Sequence, residues 1–452
     1  MKNRTLTAGI LIFVTAGSIL RAAVTPEEAT KLKGELTPMG AIRAGNADGS
    51  IPAWDGGIRQ PPEGYRPGMH HPDPFAGDKE LFVITAENMD RYAGQITAGQ
   101  TAMLRRYPET WRLRVYPTRR SASLPERIQD AAVRNATTAE LTDGGNGVRN
   151  ASEAVPFPIP KSGVEAIWNH LLRYRGEALR QVFGQVSPTA GGMYTMVTID
   201  QKVFFPYAQA GATIESINNR AIYFFQTVTA PARLAGQILL VHETLDQVKE
   251  PRKAWTYNPG QRRVRRAPNV AYDNPGTASD GQRTTDQLDG INGAPDRYDW
   301  KLVGRKEMIV PYNCYRLHGD ALKYKDIIRP GHVNPEHLRY EKHRVWVVEA
   351  TLKEGMTHIY ARRTFCIDED SWQILVVDQY DARGEIWRVT EIYPVNYYEV
   401  PVIYSTLEAI YDLQNGRYLA LGLNNEGEVE DFSVELTLDD FTPAAMRRAG
   451  RR

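Results

Sequence analysis

The sequence predicts an α+β protein: a large, curved antiparallel β-sheet covered by helices, with a helical and irregular N-terminal extension. Three observations carry that expectation. First, Trp255–Arg266 reads W-T-Y-N-P-G-Q-R-R-V-R-R, two alternating aromatics, a Pro-Gly turn and a basic strand. Pro259 presets φ for the second turn position and Gly260 accepts the positive φ of a type II turn, so a β-hairpin is expected. Second, after about residue 190 the chain becomes a series of alternating stretches joined by short turns, which is the pattern of an antiparallel meander. Third, Ser162 and Glu165 have capping-box spacing and open an amphipathic helix with Val164, Ile167, Trp168, Leu171 and Leu172 on one face. Such a helix can cover one face of the sheet and leave an apolar cavity beneath it.

Taken in order, residues 1–23 read as a signal peptide. Lys2 and Arg4 precede an apolar run from Gly9 to Leu20, and the small pair Ala22-Ala23 follows. The run is short for a membrane span. An exported protein, soluble in the periplasm once the signal is removed, is expected. Loss of Lys2, Arg4 and Arg21, with no acidic residue lost, takes the formal charge from +1 to −2. A near-neutral chain has no global field for a nucleic-acid partner, and none is expected.

Residues 24–155 form the expected N-terminal extension. Thr25-Pro26-Glu27-Glu28 is a capping box opening a short helix. Asn46, Asp48 and Ser50 have the spacing of a calcium loop without its closing Glu, so a turn is expected. Thr85–Tyr92, Thr97–Arg106 and Pro125–Asn135 read as helices and Trp111–Tyr116 as a strand. Gly144, Gly145 and Gly147 fit no nucleotide fingerprint and read as a linker.

The sheet domain is expected over residues 156–440. Its candidate strands include Gly192–Val203, Ala221–Thr229, Ala235–Thr244, Lys253–Asn258, Arg262–Arg266, Trp300–Val310, Cys314–Leu317, Arg344–Leu352, His358–Ile367, Trp372–Tyr380, Glu385–Tyr393 and Tyr418–Gly422. One long insertion, Ala267–Asp299, is rich in Asp, Gly, Asn and Pro, a composition that reads as functional or disordered. Residues 441–452 form a basic tail, expected to fray. Cys314 and Cys366 are the two cysteines. In an exported chain they invite a disulfide, feasible if their strands are neighbours and too distant if Arg344–Leu352 lies between them.

No catalytic constellation is legible. There is no G-x-S-x-G elbow, and His242-Glu243 lacks the second His of a zinc-protease helix. His332 and His337, like His70-His71, read as structural or solvated histidines, so neither a metal nor another cofactor is expected. Arg262, Arg263, Arg265 and Arg266 have two readings: a charged edge strand that resists aggregation, or an anion or partner contact.

Gly45–Trp54, the 255–266 hairpin, Asn292–Leu302, Val310–Asn313, His343–Ala350 and Asp368–Trp372 together resemble a family of uncharacterised exported proteins of Gram-negative bacteria described as outer-membrane lipoprotein-sorting-like. That family is related to the LolA/LolB lipoprotein carriers. The resemblance implies a half-barrel of antiparallel sheet closed by helices around a cavity for acyl chains. It implies handling of a lipid or other hydrophobic ligand, beside an outer-membrane β-barrel and an RND-type transporter, and no catalytic residue. On this reading Trp168, Trp255, Tyr257 and Trp346 face the ligand, and the arginines form the rim. A docking module that carries nothing is the alternative.

Overall fold

Two meanders share one sheet. The computed structural model describes residues 24–450, so the expected signal peptide at 1–23, with its cleavage site, lies outside the described residues, as do Arg451 and Arg452. Strands β1 (Phe82–Ile84) and β2 (Leu113–Val115) come from the N-terminal region, followed by the short hairpin β3 (Glu140–Leu141) and β4 (Val148–Arg149). The first meander is β5 (Ala178–Val186), β6 (Val197–Phe204), β7 (Arg220–Ala230), β8 (Ile238–Thr244), β9 (Lys253–Asn258) and β10 (Arg263–Arg266). The second is β11 (Tyr298–Pro311), β12 (Tyr340–Leu352), β13 (Arg362–Asp368), β14 (Ile374–Tyr380), β15 (Ile386–Tyr397), β16 (Val402–Asp412) and β17 (Tyr418–Leu423). The last strand, β17, pairs back onto β5 and fuses the two into a 15-stranded sheet. Pairing is antiparallel except where β2 meets β12 at Val115 and Tyr340. Among the described residues no pairing joins β10 to the far edge, so the sheet stays open.

The sheet curls because its strands are bulged. Register shifts interrupt β6/β7, β7/β8, β11/β12, β13/β14, β14/β15, β15/β16 and β17/β5. An extra residue on one strand bends it and adds twist. Pro394 sits at one of these shifts, where a missing N–H is tolerated inside a strand.

The helices are α1 (Pro26–Ala29), α2 (Ala98–Arg106), α3 (Glu126–Thr138) and α4 (Gly163–Leu172), with single helical turns elsewhere and one further helix near the C-terminus. The sheet wraps around α4. Its Ala166 and Ile167 join one core with Leu179 and Val203 from the first meander and with Trp346, Val348, Phe365 and Ile374 from the second. Each fully buried aliphatic side chain contributes about 1.5–3 kcal/mol. The Ser162 hydroxyl accepts from Glu165 N at 3.4 Å, capping the helix as its spacing implied. Gly163 has a packing reason: a Cβ there would lie 2.8 Å from the carbonyl carbon of Trp300. The helix start thus rests on the β11 backbone.

Several expectations change. Cys314–Leu317 is not a strand; Tyr315–His318 is a helical turn. Thr85–Tyr92 is reduced to a 3-10 turn at Met89–Tyr92. The hairpin forms, but its positive φ falls on Arg262 at 53°, not on Gly260. Asn258 closes that turn by accepting from Arg262 N at 2.9 Å. The proposed bridge between Cys314 and Cys366 is absent: both are free, buried thiols. The reason is the one that made distance decisive. Cys366 on β13 pairs with Val347 of β12, and β12 in turn separates β13 from β11, whose chain leads to Cys314.

The tail is not frayed over the described residues. A helix at Pro443–Ala449 packs on the outer face of β8–β10, with Phe441 and Met446 buried against Phe225, Leu240 and Tyr257.

Candidate ligand cavity

Register decides which side chains share a face, since paired residues of antiparallel strands project to the same side. Gln181 pairs with Gln201, Gln201 with Gln226, and Gln226 with Leu239. The neighbouring row runs through Val203, Phe224 and Val241, and the next joins Ile222 to Glu243. These rows floor a cavity of about 230 Å³. Trp168, Leu171 and Leu172 of α4 form one wall. Tyr404 and Glu408 of β16 form another, and Gly276, Arg283, Leu288 and Ile291 of the 267–299 insertion complete the enclosure.

The insertion is folded, and several of its polar side chains are spent on buried pairs. Asp286 holds Arg363 at 2.6 Å and His358 at 3.1 Å. Gln287, fully buried, donates to Thr390 Oγ1 at 3.1 Å. Asn292 donates to Thr285 O at 2.9 Å.

One end of the cavity is ionic. Asp289 is shared by Arg173 at 2.6 Å and Arg175 at 3.1 Å. Burial opposes its ionisation, but the guanidinium groups of Arg173 and Arg175 outweigh burial and hold the carboxyl well below its ordinary range. Burial, reinforced by Arg173, lowers His170 to about 3. Burial keeps the ring neutral, and both of its nitrogens are engaged within the protein: Nε2 lies 2.8 Å from Asp289 O, and Nδ1 lies 3.0 Å from Trp372 O and 3.3 Å from Ile374 N. Burial and the neighbouring Asp289 charge raise Glu408 to about 8. Burial raises Glu430, also on the wall, to about 7.

The residues singled out from sequence are distributed differently from expectation. Trp168 lines the cavity, its indole donating to Gly145 O at 2.8 Å. The glycine-rich linker therefore anchors that ring. Trp255 and Tyr257 do not face the cavity. They pair with Leu240 and Ile238, which alternate with the cavity-facing Leu239 and Val241. Tyr257 is covered by the C-terminal helix. Trp346 is also absent from the cavity wall; it stacks on Trp372 at 6.0 Å with Arg305 over its ring at 4.1 Å. Arg263, Arg265 and Arg266 lie exposed on edge strand β10, with Arg262 in its turn, and Arg266 sits 5.3 Å from the Trp255 ring centre. Sequence reasoning missed Arg283, Glu408, Glu430 and the three-glutamine row. The row left a signal, since Gln181, Gln201 and Gln226 interrupt otherwise apolar positions.

The histidines are also rearranged. His71 is buried, not solvated, and bridges Glu399 and His318 at 2.8 Å each. His332 is bonded to Thr110 at 2.9 Å. Asn46, Asp48 and Ser50 form the expected turn, with Ser50 N donating to Asp48 at 2.9 Å. Among the described residues, His343, Asp368 and Asp370 bring potential ligand atoms within 4.8 Å of one another. Asp370 is engaged by Arg120 at 2.6 Å, and Asp368 accepts from Tyr312 at 3.0 Å.

Comparison with known proteins places the chain. It is 51% identical over 448 residues to the uncharacterized protein PA3922 of Pseudomonas aeruginosa, covering 99% of this chain and 98% of that protein. Two solved structures are similar at low identity. One is a candidate outer-membrane lipoprotein-sorting protein domain from Vibrio parahaemolyticus, 14% identical with a TM-score of 0.44, covering 63% of this chain and 98% of that one. The other is a LolA superfamily protein from Nitrosomonas europaea, 11% identical with a TM-score of 0.37, covering 60% and 93%. The family model described as "Protein of unknown function (DUF1329)" matches residues 83–447, and the chain belongs to that family.

Proposed function

We propose that the protein is a carrier that holds a lipid, a lipoprotein acyl chain or another hydrophobic molecule in the cavity between the curled sheet, α4 and the insertion. Its place of action is the periplasm, reached through the export segment at residues 1–23. One observation carries the reading. Aliphatic and aromatic side chains from β6, β7, β8 and α4 converge on an interior space instead of filling it. Native cores close such spaces, because an unfilled apolar wall forfeits its contacts. The neutral His170, with both ring nitrogens bonded within the protein, offers no general base to a guest.

Native mass spectrometry of protein purified from the periplasm of its own cells tests this. The carrier reading expects a bound apolar species, released by organic solvent and replaced by a fluorescent fatty-acid probe. Protein that is reproducibly empty and does not take up such probes contradicts it.

A further inference from the structure

The cavity contains a cation without a counterion. Arg283 is only 6% exposed and lines the cavity. It has no salt bridge among the described residues, and its Nη1 makes one hydrogen bond, to Thr284 O at 3.2 Å. Its Nε is buried without a partner. Other buried arginines around it are matched: Arg173 by Asp289 at 2.6 Å, Arg363 by Asp286 at 2.6 Å and Arg388 by Asp412 at 3.0 Å. Burying an unpaired guanidinium is expensive, so its retention calls for an anion that arrives from outside the chain.

The nearby carboxyls do not fill that role. Asp286 is already committed to Arg363 and His358. Glu408 acts on Arg283 only through space, and burial and Asp289 keep its proton on up to about pH 8. Asp289 is itself divided between two arginines, so that end of the cavity carries surplus positive charge. Gly276 leaves the guanidinium its space: a Cβ there would lie 2.7 Å from Arg283 Cζ. The apolar row Val203, Phe224 and Val241 lines the same cavity.

We propose that the ligand is an anionic amphiphile, with a carboxylate or phosphate head seated on the Arg283 guanidinium and its apolar chain along the Val203–Phe224–Val241 row. The proposal rests on the carrier reading and narrows it. Guanidinium groups suit this task because their planar fork pairs with two oxygens at once. Arg175 lines the same cavity and adds to the positive potential at the head.

The test compares three probes on delipidated protein: oleate, dodecyl phosphate and oleyl alcohol, with dissociation constants from titration calorimetry. The wild-type protein should bind at least one anionic probe tenfold or more tighter than oleyl alcohol. Preference for oleate identifies a carboxylate head and preference for dodecyl phosphate a phosphate head. Arg283→Gln should erase that preference by weakening the anionic probes tenfold or more while leaving oleyl alcohol unchanged; Arg283→Lys should restore part of it. Equal wild-type affinity for acid and alcohol overturns the head-group assignment while leaving the carrier reading intact, and this arm needs no variant to fold. Equal loss of all three probes in Arg283→Gln also overturns it. Failure of the wild-type protein to bind any of the three removes both readings together.

Discussion

The phenol of Tyr257 donates a 3.0 Å hydrogen bond to the carbonyl oxygen of Gly450, tying the C-terminal helix to the face of the sheet opposite the cavity. His242 adds a second tie, 2.8 Å from Phe441 O. Met446 is fully buried between them. Met446→Ala should therefore cost about 2–4 kcal/mol in urea unfolding, the usual range for a large-to-small core change. Binding of a fluorescent fatty-acid probe to the variant's folded fraction should be unchanged, since the cavity lies on the other face.

The two thiols give a chemical check on strand order. Burial pushes both Cys314 and Cys366 far above the ordinary thiol range. Both should resist a thiol reagent in the native protein, and both should react in denaturant without prior reduction. Mass spectrometry would then count two labels. Absence of labelling until reductant is added would mean that the cysteines are bridged and the β11–β12–β13 order is wrong.

Glu408 gives the protein a pH dependence of definite sign. Its carboxyl is raised from 4.5 to about 8 by burial and Asp289. Between those values the folded state keeps a proton that the unfolded chain has released. Stability contributed by this group therefore falls as pH rises through the window, by up to about 1.4 kcal/mol per pH unit. Glu408→Gln, which resembles the protonated form, should flatten that slope. Chemical denaturation at pH 5 and pH 8 should find the variant's advantage at pH 8 and little difference at pH 5.

Arg263 and Arg265 lie exposed on an edge strand, with no ion pair among the described residues. Replacing both with Ser should change stability by less than about 0.5 kcal/mol. If edge protection is their role, the variant should aggregate more readily on concentration, which light scattering detects.

Much of the sheet was legible, either from period-2 alternation, as in Val197–Phe204, or from runs dense in β-branched and aromatic residues, as in Tyr340–Leu352 and Ile374–Tyr380. The period groups side chains by face but does not say which face turns inward. Trp255 and Tyr257 do share a face, as alternation requires. Their pairing with Leu240 and Ile238 turns that face outward. The helix that covers them lies in a stretch whose arginines suggested a frayed tail. Arg283 was hidden for a related reason: the composition of a segment rich in Asp, Gly and Asn does not show where its charges go, and their partners are distant in sequence, as when Asp286 meets Arg363. The helix α4 was found almost to the residue because its cap and apolar stripe are local signals.

The most direct test of the central claim is the affinity of a fluorescent fatty acid for Ile222→Trp beside the wild-type protein. Ile222 lines the cavity, next to Glu243 in the β7–β8 register, so the larger ring occupies the proposed ligand space. The carrier account predicts one saturable site in the wild-type protein and at least tenfold weaker binding in a variant that remains folded. Undiminished binding to the folded variant would contradict it.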